Sequence, residues 1–506
     1  MLLFGLVPTW LGAWLTPVWL LGLGSLLGLG ILLAVWAGTW LVSRHAAQAT
    51  RMLVAECVPV PILIVTAALA LLGIVGVAVV RDPGEHLHSL RRQLSFSLGT
   101  DTRQYDIAAP SAQGDNDQAQ EIEVAFGGDE LRELRFYSDE NLLVSTPPDE
   151  SRAPALTWLV TGGEELTWTR GEQVSRPLIG REFDRLLVRN VGGADTTLTL
   201  TVVTAPIHPQ IASVPITAVS VVGVFLLYLA FRTTMPKLSA VALATAKSEM
   251  NQPLFLILLT AGVVLLFLFL YIPYFTFDED VKVLKDSGLT LIMVFGIFQA
   301  VWAASTSVSE ELEGRTALTV LSKPIGRREF ILGKFSGIVW TVAVMFIILG
   351  VFFMVVVAYK PIYDARESAA LEPAWQVCHL EMMSMVPGLV LAFLETIVLA
   401  SISVAVSTRL PMLANFLICF SVYVAGHLTP TIVQSSFGQR FEPVQFVGQL
   451  IALVFPVLDH FNIQAAVASG VPVPYGYLAL ALLYCVVYTT VAMLAALVAF
   501  ENRDLA

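Results

Sequence analysis

The chain is 506 residues long, 56% hydrophobic and 14% charged, with a net charge of −11. A soluble globule carries about a quarter charged residues, so this composition excludes a water-soluble fold, which would have to bury several helices of membrane length. The acidic balance offers no footprint for nucleic acid. The four cysteines, Cys57, Cys378, Cys419 and Cys485, lie in or beside different apolar runs without a CxxC pair, against a disulfide framework or zinc–thiolate site.

The first forty or so residues are apolar, lack a basic leader and exceed the core of a signal peptide. They predict an uncleaved span at about 18–41, with Leu2 to Leu15 an interfacial or additional helix. A second span is expected at about 57–80. Between them Arg44, His45 and Arg51 form a short basic loop, which the positive-inside rule places in the cytoplasm.

Residues 81–210 are a different material: acids exceed bases and lysine is absent. The runs DTRQYDI, EIEVAF, LRELRFYS, NLLVST, ALTWLV, ELTWTR, RLLVRN and TLTLTVVT alternate with period two, punctuated by Gly, Pro, Asp and Asn. Alternation of that length predicts a small antiparallel β domain, a sandwich in preference to a barrel. FDRLLVRN and TTLTLTVV, joined by VGGAD, predict a hairpin. One crossing from the basic loop puts this domain outside.

A third span at about 211–231 leads to a mildly amphipathic stretch with Arg232, Lys237 and Lys247, expected as an elbow helix at the interface. Six more spans follow, at about 252–274, 287–306, 335–358, 385–407, 410–430 and 477–499. The apolar run at about 447–457 is short for a crossing and reads as re-entrant or interfacial. The acid-rich segments 275–286 and 359–384 then fall outside, and segment 307–334 and the C-terminus fall inside. The fold class is a polytopic α-helical membrane protein of about nine transmembrane helices with an inserted extracytoplasmic β-rich domain. Its expected domains are 1–80, 81–210, the span 211–231, the elbow 232–251, and a six-span unit at 252–506.

The polar stretch from Ser307 to Lys334 stands apart. Glu310, Glu311 and Glu313 come early, followed by Leu312, Ala317, Leu318, Val320 and Leu321 at spacings that allow a short helix with one apolar face. Pro324 and Gly326 break it, and Arg327, Arg328 and Lys334 precede the next span. Such a helix can lie along the inner surface, its acidic end presented to a cytosolic protein and its basic end snorkelling at head-group level. The residues alone leave this reading open beside that of an ordinary cytoplasmic loop.

On these residues the chain resembles the membrane permease of the ABC-2 class of ATP-binding-cassette transporters, over roughly residues 237–506. In that family an acid-rich start, a Gly-Thr pair, a Leu-rich stretch, a Ser-x-Pro turn with a following Arg, and Gly-Lys mark the loop between the second and third of six spans. Glu310 or Glu311, Thr316, Leu321, Ser322, Pro324, Ile325, Arg327, Gly333 and Lys334 match. Arg315 stands where the family often has Gly, with Gly314 one place earlier. The resemblance implies a coupling helix docked on a separate ATPase. Glu310, Glu311 and Glu313 would face its basic groups, Pro324 would fix the exit, and Arg327 and Lys334 would anchor the next span. It further implies a homo- or heterodimeric permease in the bacterial cytoplasmic (inner) membrane, ABC ATPase partners that bind ATP and Mg, export of cargo, and no enzyme activity or cofactor in this chain.

The chain's own residues agree on one point. Gly333-Lys334 is followed by Phe335 and lacks the earlier glycine of a phosphate-binding loop. His379, His427 and His460 are scattered without ligand spacing, and HExxH and GxSxG are missing, so no metal site or catalytic centre is expected. Glu395 lies in the middle of an apolar span, as a pathway group or as a structural hydrogen-bonding group. The readings that compete with a transporter are a membrane-anchored sensor or scaffold binding an envelope partner through the β domain, and a membrane enzyme with a polar cluster at the span ends.

Overall fold

The computed structural model describes residues 8–45, 48, 59–80, 82–94, 99–109, 119–147, 156–170, 182–272, 279–311, 325–434, 446 and 456–501. They form two compact units, Met1–Arg81 with Ser213–Ala506, and Asp82–Ala212.

The first unit begins with α1 (Thr9–Val42) and α2 (Val60–Val75). Small residues let their backbones meet: a Cβ on Gly22 would stand 2.6 Å from the Leu69 carbonyl oxygen, and one on Gly73 would stand 2.7 Å from Gly22. Trp19 Nε1 donates to the Gly73 carbonyl at 2.9 Å, so the buried indole has its partner inside the contact.

The second unit opens with α3 (Pro83–Leu94), a helix ahead of the first alternating run in the segment expected to be β-rich. Its Arg92 guanidinium clamps the Glu130 carboxylate (Nε to Oε1 2.9 Å), which pulls the Arg92 pKa up. Strands β1 (Thr100–Ile107), β2 (Gln120–Gly127), β3 (Leu131–Tyr137), β4 (Leu142–Ser145), β5 (Thr157–Val160), β6 (Glu165–Thr169), β7 (Glu182–Asn190) and β8 (Thr196–Thr204) follow. They make two antiparallel sheets, ordered β1-β8-β3-β6 and β2-β7-β4-β5. Alternate residues face inward: Ile122, Val124 and Phe126 of β2, Leu186 and Val188 of β7, and Leu198 and Leu200 of β8 share one core, as in a sandwich.

The hairpin expected from FDRLLVRN-VGGAD-TTLTLTVV is not formed. β7 pairs with β2 and β4, whereas β8 pairs with β1 and β3. The connection instead carries the chain from one sheet to the other. Val191 and Gly192 N–H groups donate to the Asn141 carbonyl, and Asn190 Nδ2 donates to the Ala194 carbonyl at 2.9 Å. A Gly-containing loop between alternating strands serves an arch as well as a hairpin, and only the partners of each strand decide.

The chain re-enters the first unit through α4 (Ser213–Thr234), α5 (Pro236–Met250), α6 (Pro253–Tyr271), α7 (Asp280–Ala304), α8 (Arg327–Glu367), α9 (Trp375–Met383), α10 (Met385–Ser407), α11 (Met412–Gln434), α12 (Gln464–Ala468) and α13 (Tyr475–Glu501). Among the described residues eight helical segments are long and apolar enough to cross a membrane, and α11 contributes a shorter apolar stretch, Met412–Leu428. The nine expected spans coincide with α1, α2, α4, α6, α7, α8, α10, α11 and α13. The acid-rich segment 359–384, expected as a loop, is largely helical, because α8 runs on to Glu367 and α9 starts at Trp375. The apolar run at 447–455 lies outside the described residues.

Candidate functional site

The polar stretch is anchored at both ends by described residues. At its entrance α7 does not stop cleanly but widens into a π-helical segment, Ser305–Glu310, a distortion common at functional sites. Polar side chains fill the widened turns. Buried Asn415 of α11 directs Nδ2 at the hydroxyls of Ser305, Ser403 and Ser407, at 2.8–2.9 Å, and the Ser309 hydroxyl donates to the Leu410 carbonyl at 3.1 Å. This network binds the end of α7 to the α10–α11 turn.

At the exit, the Gly326 N–H donates to the Glu329 carboxylate at 2.8 Å and caps the start of α8. Arg327 Nη1 donates to the Glu501 carbonyl at 2.9 Å, with the guanidinium over the Phe500 ring, while Phe330 stacks on the same ring. One turn on, Lys334 is nearly buried, and its ammonium meets Glu311 Oε1 at 2.6 Å. Glu311 and Lys334 therefore join the entrance of the stretch to its exit.

Helix α5 lies against this exit. A Cβ on Gly333 would stand 2.6 Å from Val241 Cβ, and one on Gly337 would stand 2.6 Å from the Ala242 carbonyl oxygen, so only glycine permits the approach. At the far end of α5, buried Glu249 accepts from Thr306 at 3.2 Å and from Gln252 Nε2 at 3.2 Å, and Trp302 donates to Gln252 Oε1 at 2.9 Å. The elbow thus touches both the entrance and the exit of the stretch.

A family profile described as ABC-2 family transporter protein matches residues 60–505. The chain belongs to the ABC-2 transporter family. It is the membrane-spanning permease component of an ABC transporter, a transport part and not itself catalytic, and permeases of this family work with ABC ATPase partners. The match begins at α2, well before the six-span unit in which the resemblance was read. No curated protein matches the chain.

Of the residues singled out in this ABC-2 permease, Glu311, Arg327 and Lys334 come together at the bundle end. Glu310 closes the π-helical segment. Glu313, Thr316 and Pro324 lie outside the described residues. Glu395 is fully buried in α10, with His427 Nε2 of α11 at 3.6 Å from its carboxyl.

Several residues escaped the sequence reading. Asn415 and Glu249 carry the networks above, yet Asn415 is a lone polar group in its run and Glu249 is one of several polar residues in the Lys247–Gln252 stretch. At the opposite end of the bundle two lysines are buried. Lys285 of α7 meets Glu381 and the Ser384 hydroxyl of the α9–α10 junction. Lys360 of α8 meets Asp364 at 2.8 Å and Asp280 at 3.9 Å. The i,i+4 spacing of Lys360 and Asp364 is a readable helix signal, outweighed in the sequence by the acid-rich character of segment 359–384.

Proposed function

We propose that this chain is the permease subunit of an ATP-driven exporter, and that the end of the bundle carrying Glu311, Lys334 and the elbow is where separate ATPase subunits dock. The observation that carries the reading is the Glu311–Lys334 ion pair, set where α5, α7 and α8 converge. A push on segment 307–334 meets both of its attachments at once, and through the glycine contacts of α5 it meets the elbow too. Transmission of that kind needs stiffness and complementary shape and no reactive group. Glu310, Glu311 and Glu313 would offer acceptors to basic groups of the ATPase, with Pro324 setting the exit of the segment and Arg327 and Lys334 holding the start of α8. ATP and Mg belong to the ATPase subunits, and this chain contributes no cofactor.

On this reading two permease chains, identical or related, line a path in the bacterial inner membrane. Segment 307–334 and the C-terminus lie in the cytoplasm, and the β domain lies outside. The division into N-terminal spans, β domain, elbow and six-span unit follows the same logic, with the last as the transport module. Glu395 and His427 are the polar groups a cargo or proton would meet inside the bundle.

The test is a mild-detergent pull-down of the tagged chain with its co-purifying proteins identified. A stoichiometric ABC ATPase is expected, lost when Glu310, Glu311 and Glu313 are changed together to Ala while membrane insertion persists. Recovery of a folded chain without any ATPase would sink the reading in favour of an anchored sensor or scaffold. Labelling of a cysteine placed at exposed Glu164, in the turn between β5 and β6, checks sidedness with an impermeant reagent; the native Cys378, Cys419 and Cys485 are buried.

A further inference from the structure

Glu395 lies midway along α10, and its side chain is 1% exposed. An ionisable group at membrane depth is expensive, and it persists either as a tie between helices or as part of a pathway. Its neighbours decide between the two. The hydroxyls that follow it on α10 are already engaged: Thr396 donates to the Ala392 carbonyl at 2.8 Å, Ser401 donates to the Val398 carbonyl at 2.6 Å, and Ser403 and Ser407 accept from Asn415 at 2.8 and 2.9 Å. Among the described residues neither oxygen of the Glu395 carboxyl has a hydrogen bond. The carboxyl is therefore not spent on a hydrogen-bonded tie.

What faces it is one end of a polar stripe on α11. Asn415, Cys419, Tyr423 and His427 recur at four-residue steps, so they share a face of the helix. Cys419 Sγ donates to Asn415 Oδ1 at 3.4 Å, and the Tyr423 and His427 rings lie 4.6 Å apart. His427 Nε2 stands 3.6 Å from Glu395 Oε1. A carbonyl only accepts, so His427 Nδ1, 3.1 Å from the Tyr423 carbonyl oxygen, carries the hydrogen. Nε2 is then left to take up or give up a proton. An approach of about 0.8 Å would bring it into a hydrogen bond with the carboxyl.

The other titratable groups around α10 are engaged, or lie at the surface or the helix ends. Cys485 of α13 donates to the Leu394 carbonyl at 3.5 Å, and Tyr484 and Tyr488 pack beside Leu394 and Val398. The charged residues of α7 and α8 sit at the helix ends, where Lys285 meets Glu381 of α9, Lys334 meets Glu311 and Lys360 meets Asp364. His379 of α9 meets the Ser213 hydroxyl at 3.2 Å. Arg409, Asp459 and His460 are exposed, and α12 has no titratable side chain. A hard divalent cation takes six or more ligands, mostly oxygens, whereas one carboxyl facing one imidazole suits a proton.

We propose that Glu395 and His427 form a proton-exchange site within the transport bundle. The proton rests on a Glu395 oxygen while the pair is neutral. When α10 and α11 close the gap, the O–H bond breaks and an N–H bond forms at Nε2, leaving a carboxylate beside an imidazolium with no change in net charge. His427, with its side chain 20% exposed, passes the proton out of the bundle, and the carboxyl is refilled by the reverse path. This deepens the reading of the two groups as those a path presents, and it needs only the membrane bundle, not a docked ATPase.

The experiment is infrared difference spectroscopy of the purified full-length chain in mild detergent, stepped in pH. The carbonyl stretch of a protonated carboxyl is expected to fade as the pH rises and to be missing from Glu395→Gln. In His427→Gln, without an imidazolium to favour the carboxylate, that band should persist to a pH about one unit higher. In the unaltered chain an apolar carbodiimide, which attacks protonated carboxyls, should modify Glu395 more slowly as the pH rises, with the adduct located by peptide mass spectrometry. Lack of a band that Glu395→Gln removes, or a band that neither pH nor His427→Gln moves, overturns the proposal. So does a rate of carbodiimide modification at Glu395 that ignores pH. Thermal melts of both variants separate loss of the site from loss of the fold, and the readouts stand whether or not an ATPase co-purifies.

Discussion

Lys334 is the sharpest place to perturb this bundle. Its side chain is 8% exposed and that of Glu311 is 33% exposed, so the pair is screened on one side only. Removing one partner of a fully buried pair costs about 3–5 kcal/mol, whereas an exposed pair is worth about 0–1 kcal/mol. With one partner buried and the other at the surface, Glu311→Gln is expected to cost about 1–3 kcal/mol, mostly as an ammonium left without its counter-charge. Lys334→Met keeps the stem that packs beside Phe330 and removes the charge, so it should cost less. The double variant should then be more stable than the sum of the single losses, by a coupling of about 1 kcal/mol or more. The assay is reversible unfolding of the purified chain in mixed detergent micelles across the four-member cycle, with ATPase co-purification as a parallel readout. Additive losses, with coupling below about 0.3 kcal/mol, would refute the claim that the pair joins the two ends of the segment.

Three further outcomes are expected. Gly337→Leu drives a side chain into the Ala242 carbonyl and Thr245, so it should destabilise by about 1–3 kcal/mol or more and release the elbow, seen as new protease cleavage within 236–250. Unchanged cleavage would mean that α5 is held elsewhere. Glu395→Leu should raise the unfolding midpoint, because the buried carboxyl has His427 at 3.6 Å and no hydrogen bond among the described residues. A buried polar group left without a hydrogen bond costs about 1–3 kcal/mol, a cost that leucine avoids, and a lowered midpoint would show that Glu395 supports the fold. In the β domain, burial and the stacked His86 push the His208 imidazole below its ordinary value of 6.5. The unfolded chain then binds the proton more readily. The contribution of His208 is fully present above the unfolded pKa and is lost as the pH falls through the lowered folded value. Amide exchange of β8 peptides, corrected for its intrinsic pH dependence, should accelerate at acid pH in the full chain and do so less in His208→Leu; identical profiles would exclude His208 as the cause.

The spans were legible because lipid imposes one rule, about twenty apolar residues for each crossing, and α1, α2, α4, α6 and α7 obey it. The eight β runs were legible for a similar reason, since one face of each strand is buried and the alternation survives in Ile122, Val124 and Phe126. Pairing was not legible. The Val191–Asp195 connection looks like a hairpin loop, and nothing in β7 or β8 alone says that each prefers strands more than fifty residues away, such as β2 for β7 and β1 for β8. Around segment 307–334 the sequence marked out Glu311, Arg327 and Lys334 but not the groups they meet in the structure. Asn415 and Glu249 acquire meaning only when α11 and α5 are brought against α7, and hydropathy carries no record of that contact.

Helix α8 is 41 residues long, or about 60 Å at 1.5 Å per residue, twice the thickness it crosses. A rod of that length pivoting through about 10° at its middle carries each end about 5 Å in opposite directions. The seesaw has Arg327 at one tip and Glu367 at the other, with Lys360 and Asp364 on the far arm. A stroke applied at Arg327 would therefore arrive at the other membrane face reversed in sign, and would bear on the contact of Lys360 with Asp280 of α7, which at 3.9 Å is looser than its contact with Asp364.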